Sequence, residues 1–232
     1  MDNEKIYGLI TARGNSKGIP KKNMKKINGY PLIYYSAKAA IESKNLEKVF
    51  LSTDSEEIAK YGEFLGLEIP YIRPKHLAKD NSKSIDAVKH LIEKCSLTGS
   101  ICLIQPTSPL VTCEDIQRAT EIHKKYKKNV LSVTESSFQP SNTCFVNNID
   151  EMSFISKNEG LPRQELNQHF KLNGAIFLNS IESIISKNSL IQDASIAYIM
   201  PKWKSIDVDD LIDLKIAELI LKNKDIFTNL DK

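Results

Sequence analysis

Twelve consecutive residues hold the densest chemistry in the chain: Ala12-Arg13-Gly14-Asn15-Ser16-Lys17-Gly18-Ile19-Pro20-Lys21-Lys22-Asn23. Two glycines let a ligand approach the backbone closely. Exposed N–H groups beside one arginine and three lysines suit a polyphosphate. Neither G-x-x-x-x-G-K-[ST] nor G-x-G-x-x-G occurs, so this is neither a Walker loop nor a dinucleotide fingerprint. The plainer account is a basic surface loop.

Three further stretches carry candidate chemistry. Gln105-Pro106-Thr107-Ser108-Pro109 sets an amide between prolines, and that amide can donate to and accept from a base edge. A rigid turn is the alternative. Ser205-Ile206-Asp207-Val208-Asp209 places two carboxylates one residue apart, on the same side if the segment is extended. Such a pair suits Mg²⁺, and equally a helix N-terminus, where acids are favoured. Pro162-Arg163-Gln164 and Lys171-Leu172-Asn173-Gly174-Ala175 offer cations and an amide; a guanidinium can grip a carboxylate with two parallel bonds. An ordinary solvated surface would look the same.

Short apolar runs alternate with helical patterns and would position these stretches. Ile6–Ile10, Val49–Thr53, Ile101–Ile104 and Val130–Val133 read as strands, and Leu67–Ile72 as a further extended segment. Pro31 opens a helix to about Ser43. Asp54 with Glu57 reads as a capping box before Ile58, Tyr61 and Leu65, with Gly66 as the stop. Ser84–Lys94 is helical, and Thr112 with Asp115 caps a helix carrying Ile116, Ala119 and Ile122. The rhythm breaks over about 135–172 and resumes at Ala175-Ile176-Phe177-Leu178. A short helix from Ile181 and a strand at Ile196–Met200 follow. Asp207 or Asp209 caps a last helix with Leu211, Leu214, Ala217 and Ile220 inward. This order predicts βαβ units, a mainly parallel sheet flanked by helices, and one domain over 1–232 with an inserted arm. Ligands of such sheets lie beyond the carboxyl ends of the strands, so the loops after Ile10, Thr53, Ile104 and Val133 are the places to look.

Composition narrows the class. The chain has 232 residues, 41% hydrophobic and 26% charged, which is ordinary globular usage and argues against disorder. A net charge of +3 is too small to suggest a nucleic-acid binder. Cys95, Cys102, Cys113 and Cys144 show no C-x-x-C spacing, so zinc and disulfide frameworks are not expected. His90 and His123 fall in helices; His169, in the arm, is the one histidine to watch. The first apolar run has five residues, and none approaches a membrane span, so a soluble cytoplasmic protein is expected.

The motifs occur together and in order. Ala-Arg-Gly-Asn-Ser-Lys-Gly-Ile-Pro-x-Lys-Asn, Ser-Thr-Asp-Ser, Arg73-Pro74 with Leu77-Ala78-x-Asp80, Gln-Pro-Thr-Ser-Pro-Leu, Asn-Gly-Ala-Ile and Ser-Ile-Asp-Val-Asp resemble the acylneuraminate cytidylyltransferases, the CMP-sialic acid synthetases, from about Ile6 to Ala217. The resemblance implies a nucleotide-diphospho-sugar transferase-like, Rossmann-like α/β fold. It implies a homodimer whose arm covers the partner's sugar site, and Mg²⁺ as cofactor. The implied reaction joins CTP and a nine-carbon 2-keto sugar acid, releasing pyrophosphate, in the biosynthesis of a sugar nucleotide for lipopolysaccharide or capsule.

By motif match, Arg13 and Lys22 would stabilise the triphosphate, and Asp207 and Asp209 would bind Mg²⁺, with Asp209 in the catalytic set. Ala12, Gly14, Asn15, Ser16, Asn23, Ser84 and Gln105 would surround the nucleotide. Gln105, Lys171, Asn173, Phe177 and Arg163 of the partner subunit would meet the sugar acid. Lys83 stands where a nucleotide-contacting serine is common, so either Ser84 takes that role or the loop shifts. Asn142, Phe177 and Leu190 also depart from the family pattern, all on the sugar side. Losing polar contacts there suits a less hydroxylated acid such as legionaminate or pseudaminate. Alternatives are 3-deoxy-manno-octulosonate as substrate and a catalytically silent nucleotide-sugar binder on the same fold.

Overall fold

The computed structural model describes residues 4–136, 143–154 and 168–230. A six-stranded sheet forms its centre. Its strands are β1 (Ile6–Thr11), β4 (Val49–Ser52), β5 (Ser100–Ile104), β6 (Val130–Glu135), β9 (Phe170–Ser180) and β10 (Ile196–Ile199), in spatial order β10-β6-β9-β5-β1-β4. β1 pairs in parallel with β4 and β5, and β10 in parallel with β6. β9 alone runs antiparallel, between β5 and β6. Nothing in its local pattern announced that direction. β2 (Lys26–Ile27) and β3 (Tyr30–Pro31) form a small antiparallel pair before α1 (Leu32–Glu42).

Both faces of the sheet are covered. Side chains alternate across a strand, and β1 shows the result. Ile6 and Ile10 join the core under α1, α2 (Glu56–Leu65) and α4 (Cys113–Tyr126), whereas Tyr7 and Leu9 join the core under α3 (Ser84–Cys95) and α5 (Ile181–Lys187). A third cluster packs Leu214 and Ala217 of α6 (Leu211–Lys222) on Ile19, Ile27, Leu32 and Val208. It anchors the loop after β1 to the segment before α6. α7 (Lys224–Leu230) follows.

Several expectations shift at element ends. α2 is capped by Ser55, whose hydroxyl accepts from Ile58 N at 3.4 Å. Asp54 instead accepts from Gly14 N at 2.9 Å, and Glu57 pairs with Lys21 at 2.8 Å. α6 is capped by Asp210, which accepts from Ile212 N and Asp213 N at 2.7 and 3.0 Å, and not by Asp207 or Asp209. That register leaves Leu211 exposed, while Leu214, Ala217 and Ile220 are buried as expected. Thr112 and Asp115 form the expected capping box.

The stretch expected to be irregular contains a hairpin, β7 (Cys144–Val146) with β8 (Met152–Phe154). β9 begins at Phe170, ahead of the apolar run at Ala175, and its first three residues, Phe170 to Leu172, are exposed. All four cysteines are free, and burial pushes the Cys102 thiol up to about 12. No helix among the described residues is long and apolar enough to cross a membrane.

Candidate active site

A cleft of about 270 Å³ opens beyond the carboxyl ends of β1 and β5. Of the sequence-predicted residues, the structure brings Arg13, Ser16, Lys22, Asn23, Ser84, Gln105, Asp207 and Asp209 to its walls. They come from four regions of the chain, so the fold assembles them. Gly18 explains part of the closeness. A Cβ there would sit 2.4 Å from the Asp209 carbonyl oxygen, which only glycine avoids without a shift.

The basic loop is held by specific bonds. Asn23 is buried, and its Nδ2 donates to the Arg13 carbonyl at 2.9 Å. Its Oδ1 is buried without a partner. Lys22 Nζ donates to the Val208 carbonyl at 2.7 Å and to Asp209 Oδ1 at 3.1 Å. Arg13 Nη1 donates to Asp80 Oδ1 at 2.7 Å, with Lys17 Nζ 3.5 Å from the other oxygen. Each of these cations therefore faces a carboxylate that an anionic ligand can replace.

The acids sit opposite. Val208 N donates to the Thr107 carbonyl at 2.8 Å, tying this segment to the loop after β5. Asp213 Oδ2 accepts from Asp209 N and Asp210 N at 3.0 and 3.1 Å. Asp207 opens to the cleft but is crowded by protein on its other sides. That desolvation raises its carboxyl above the usual range; the Thr107 hydroxyl and Lys22 oppose the rise, and the charges of Asp209 and Asp213 add to it. Gly174 sits at φ +77°, and a Cβ there would lie 3.3 Å from Asp207 Oδ2.

A second cleft of about 280 Å³ shares Asp207 and is lined by Lys171, Leu172, Asn173, Ser205, Ile206 and Asp213. It collects two of the residues expected on the sugar side. Asn173, however, is already engaged. Its Oδ1 accepts from Ser132 Oγ at 2.6 Å and Ala175 N at 3.2 Å, and its Nδ2 donates to Ser205 Oγ at 2.9 Å. These bonds bridge the irregularity in the β6–β9 pairing between Leu131 and Val133.

Four expected residues are elsewhere. Phe177 packs in the core with Leu103, Leu131 and Ile184, on the α3 and α5 face. Ala12 is buried in the core behind the loop. Gly14 gives its N–H to Asp54, and Asn15 is exposed outside the cleft lining. Arg163 and Asn142 lie outside the described residues. Sequence reading gave Asp54 only a capping role, met Arg73, Asp80 and Thr107 only as members of motifs, and passed over Asp213. Their one local signal was that a loop with several cations needs acids nearby; which acids depends on contacts 40–187 residues apart.

The family model described as Cytidylyltransferase matches residues 7–199, most of the chain and both walls of the cleft up to the start of the Asp207 segment. The chain belongs to the cytidylyltransferase family. Its members are nucleotidyltransferases. It is similar to the CMP-N,N'-diacetyllegionaminic acid synthase of Legionella pneumophila, 34% identical over 94% of this chain and 97% of that one. It is 33% identical to the N-acylneuraminate cytidylyltransferase of Escherichia coli over 95% of this chain and 53% of that one. The chain thus spans about half the length of that relative. Among solved structures, a CMP:2-keto-3-deoxy-manno-octonic acid synthetase complexed with CTP superposes with a TM-score of 0.73 at 14% identity, covering 95% of this chain and 99% of that one. This likeness supports the Rossmann-like α/β fold.

Proposed function

We propose that this cytidylyltransferase joins CTP to a nine-carbon 2-keto sugar acid, giving the CMP-sugar and pyrophosphate. The observation that carries the reading is the pairing of clefts. A cation-lined one suits a triphosphate, and an adjoining one suits an acceptor. Asp207 stands between them.

The chain's own residues do mostly positioning and charge work, as phosphoryl transfer asks. Arg13 and Lys22 exchange Asp80 and Asp209 for phosphate oxygens and stabilise the charge growing on the leaving pyrophosphate. Lys171 attracts the acid's carboxylate into the second cleft. Its anomeric hydroxyl then lies toward the α-phosphate, in line with the departing group. Asp207 and Asp209 fit a magnesium ion. Their mutual repulsion favours a divalent cation, and their carboxylate oxygens would suit Mg²⁺, which takes oxygen ligands. When bound, such an ion would neutralise triphosphate charge and acidify the attacking hydroxyl.

The hairpin β7–β8 supports a homodimer. Phe145, Val146, Ile149, Met152 and Phe154 are all exposed on it, an apolar set suited to a second copy of the chain. We place the arm, about 135–172, over the partner's acceptor cleft, where Arg163 of the partner subunit would meet the sugar acid. A second reading concerns the acceptor. Asn173 is committed to Ser132 and Ser205, and Phe177 to the core, so two of the contacts expected for the acceptor are spent inside the protein. That favours a less hydroxylated acid of the legionaminate type.

Asp209→Asn separates an enzyme from a silent binder. The variant should lose about 100-fold or more in turnover, while CTP still binds in a calorimeter. Full activity in the variant would overturn the role of Asp209.

A further inference from the structure

A further cleft, of about 430 Å³, shares no residue with the two clefts described above. It opens between α1, the start of α4 and the turn that carries Trp203. Its surface is unusually aromatic. Tyr30 and Tyr34 stack with their ring centroids 4.2 Å apart, and Tyr35 meets Tyr34 edge-on at 5.4 Å. Tyr35 is fixed, because its hydroxyl donates to the Ile27 carbonyl at 2.8 Å. Trp203 adds a second ring system, and Leu110 and Val111 add buried apolar surface. Such rings present broad, stiff apolar faces with a polar tip.

The charges of this cleft cancel. Lys38 and Lys224 are matched by Glu42 and Glu114, and Asn28 and Thr112 supply an amide and a hydroxyl, each both donor and acceptor. The first cleft differs: there Arg13, Lys22, Arg73, Lys79 and Lys83 outnumber Asp80, Asp207 and Asp209. A phosphate asks for donors in excess, and a cation asks for acceptors in excess. A sugar ring without charge asks for both, since each hydroxyl donates and accepts. Its C–H face is apolar and lies flat on an aromatic ring. An apolar pocket with a few convergent polar groups is the usual form of a small-molecule site.

We propose that this cleft is a second ligand site, for a neutral sugar ring of the hexose or N-acetylhexosamine class. The ring stacks on the tyrosine and tryptophan faces, and its hydroxyls bridge Asn28, Glu42 and Glu114. Because the lining is separate, the sugar binds together with a nucleotide and not in its place.

Trp203 is the one tryptophan of the chain, so its fluorescence reports on this cleft. The test titrates the full chain with glucose, galactose and N-acetylglucosamine at millimolar concentrations. N-acetylglucosamine 6-phosphate and choline serve as charged counterparts, and each titration is repeated with saturating CTP. At least one neutral sugar should change the Trp203 emission saturably, binding about 10-fold tighter than either charged probe. CTP should leave that response unchanged. Tyr34→Ala and Tyr30→Ala should each weaken sugar binding about 10-fold, with melting temperature as the folding control. Tyr30 is 49% exposed, so if Tyr34→Ala does not fold, Tyr30→Ala decides. No saturable response to any of the three neutral sugars would overturn the proposal. Tighter binding of the phosphate or of choline would overturn it by assigning the cleft to a charged ligand. Competition by CTP would overturn it by placing the sugar in the first cleft. Unchanged affinity in the tyrosine variants would overturn it as well.

Discussion

Single residues set the electrostatics of the cleft, and Asp207 shows the consequence. Its carboxyl titrates above the usual range, chiefly through desolvation, with Asp209 adding repulsion. A carboxyl raised in the folded state binds its proton more tightly there than in the unfolded chain. Its contribution is therefore favourable at low pH and is lost as pH rises from near 3.8 through the raised value. At neutral pH the ionised group opposes folding. Asp207→Asn should accordingly raise the melting temperature at pH 7, narrow the gap as pH falls toward 4, and abolish turnover. A lower melting temperature at pH 7 would contradict this. Lys22 works in the opposite sense, holding Asp209 and Val208 together, and Lys22→Met should lower kcat about 100-fold or more. The residues whose types announced chemistry were legible one at a time. Their partners were not, because Arg13 finds Asp80 67 positions away and Lys22 finds Asp209 187 positions away.

At the scale of elements, the segment from β10 to α6 carries the acids into place, and a buried network holds its start. Asp115 is buried at the N-terminus of α4 and accepts from Lys204 at 2.7 Å and from the Tyr198 hydroxyl at 2.8 Å. Removing one partner strands a buried charge. Lys204→Met should cost about 3–5 kcal/mol of stability by chemical denaturation. A loss below about 1 kcal/mol, the range of a surface ion pair, would contradict the account. Gly18→Ala tests the other contact, since its Cβ would strike the Asp209 carbonyl. It should cost about 1–3 kcal/mol and move Asp209 out of register, so kcat falls more than the loss in stability explains. The strands β1, β4, β5 and β6 and the helices α1, α3 and α4 were legible because their apolar periods are strong. The helix caps at Ser55 and Asp210 each lay one residue beyond the expected ones. Several acids or hydroxyls compete in both places, and only tertiary contacts, Gly14 with Asp54 and Asp213 with Asp209, decide among them. The hairpin β7–β8 was missed because its apolar residues face outward in this chain and lie among polar ones.

For the whole molecule, the proposed homodimer rests on the exposed apolar residues of the hairpin. Phe145→Ser with Phe154→Ser should convert a dimer to a monomer by light scattering. It should also lower kcat/KM for the sugar acid more than for CTP, because the proposed dimer sets the partner's arm over the acceptor side alone. An unchanged dimer would show that the hairpin serves something else. The antiparallel course of β9 also belongs to this scale: strand direction depends on connection, and no local pattern encodes it.

The central claim is the reaction itself. Its most direct measurement is pyrophosphate release with Mg²⁺, CTP and, in turn, N-acetylneuraminate, N,N'-diacetyllegionaminate, pseudaminate and 3-deoxy-manno-octulosonate, with UTP and ATP as controls. Turnover with CTP and one nine-carbon acid, and none with ATP, is the expected result. Measurable CTP binding with no pyrophosphate released from any of these acids would contradict it.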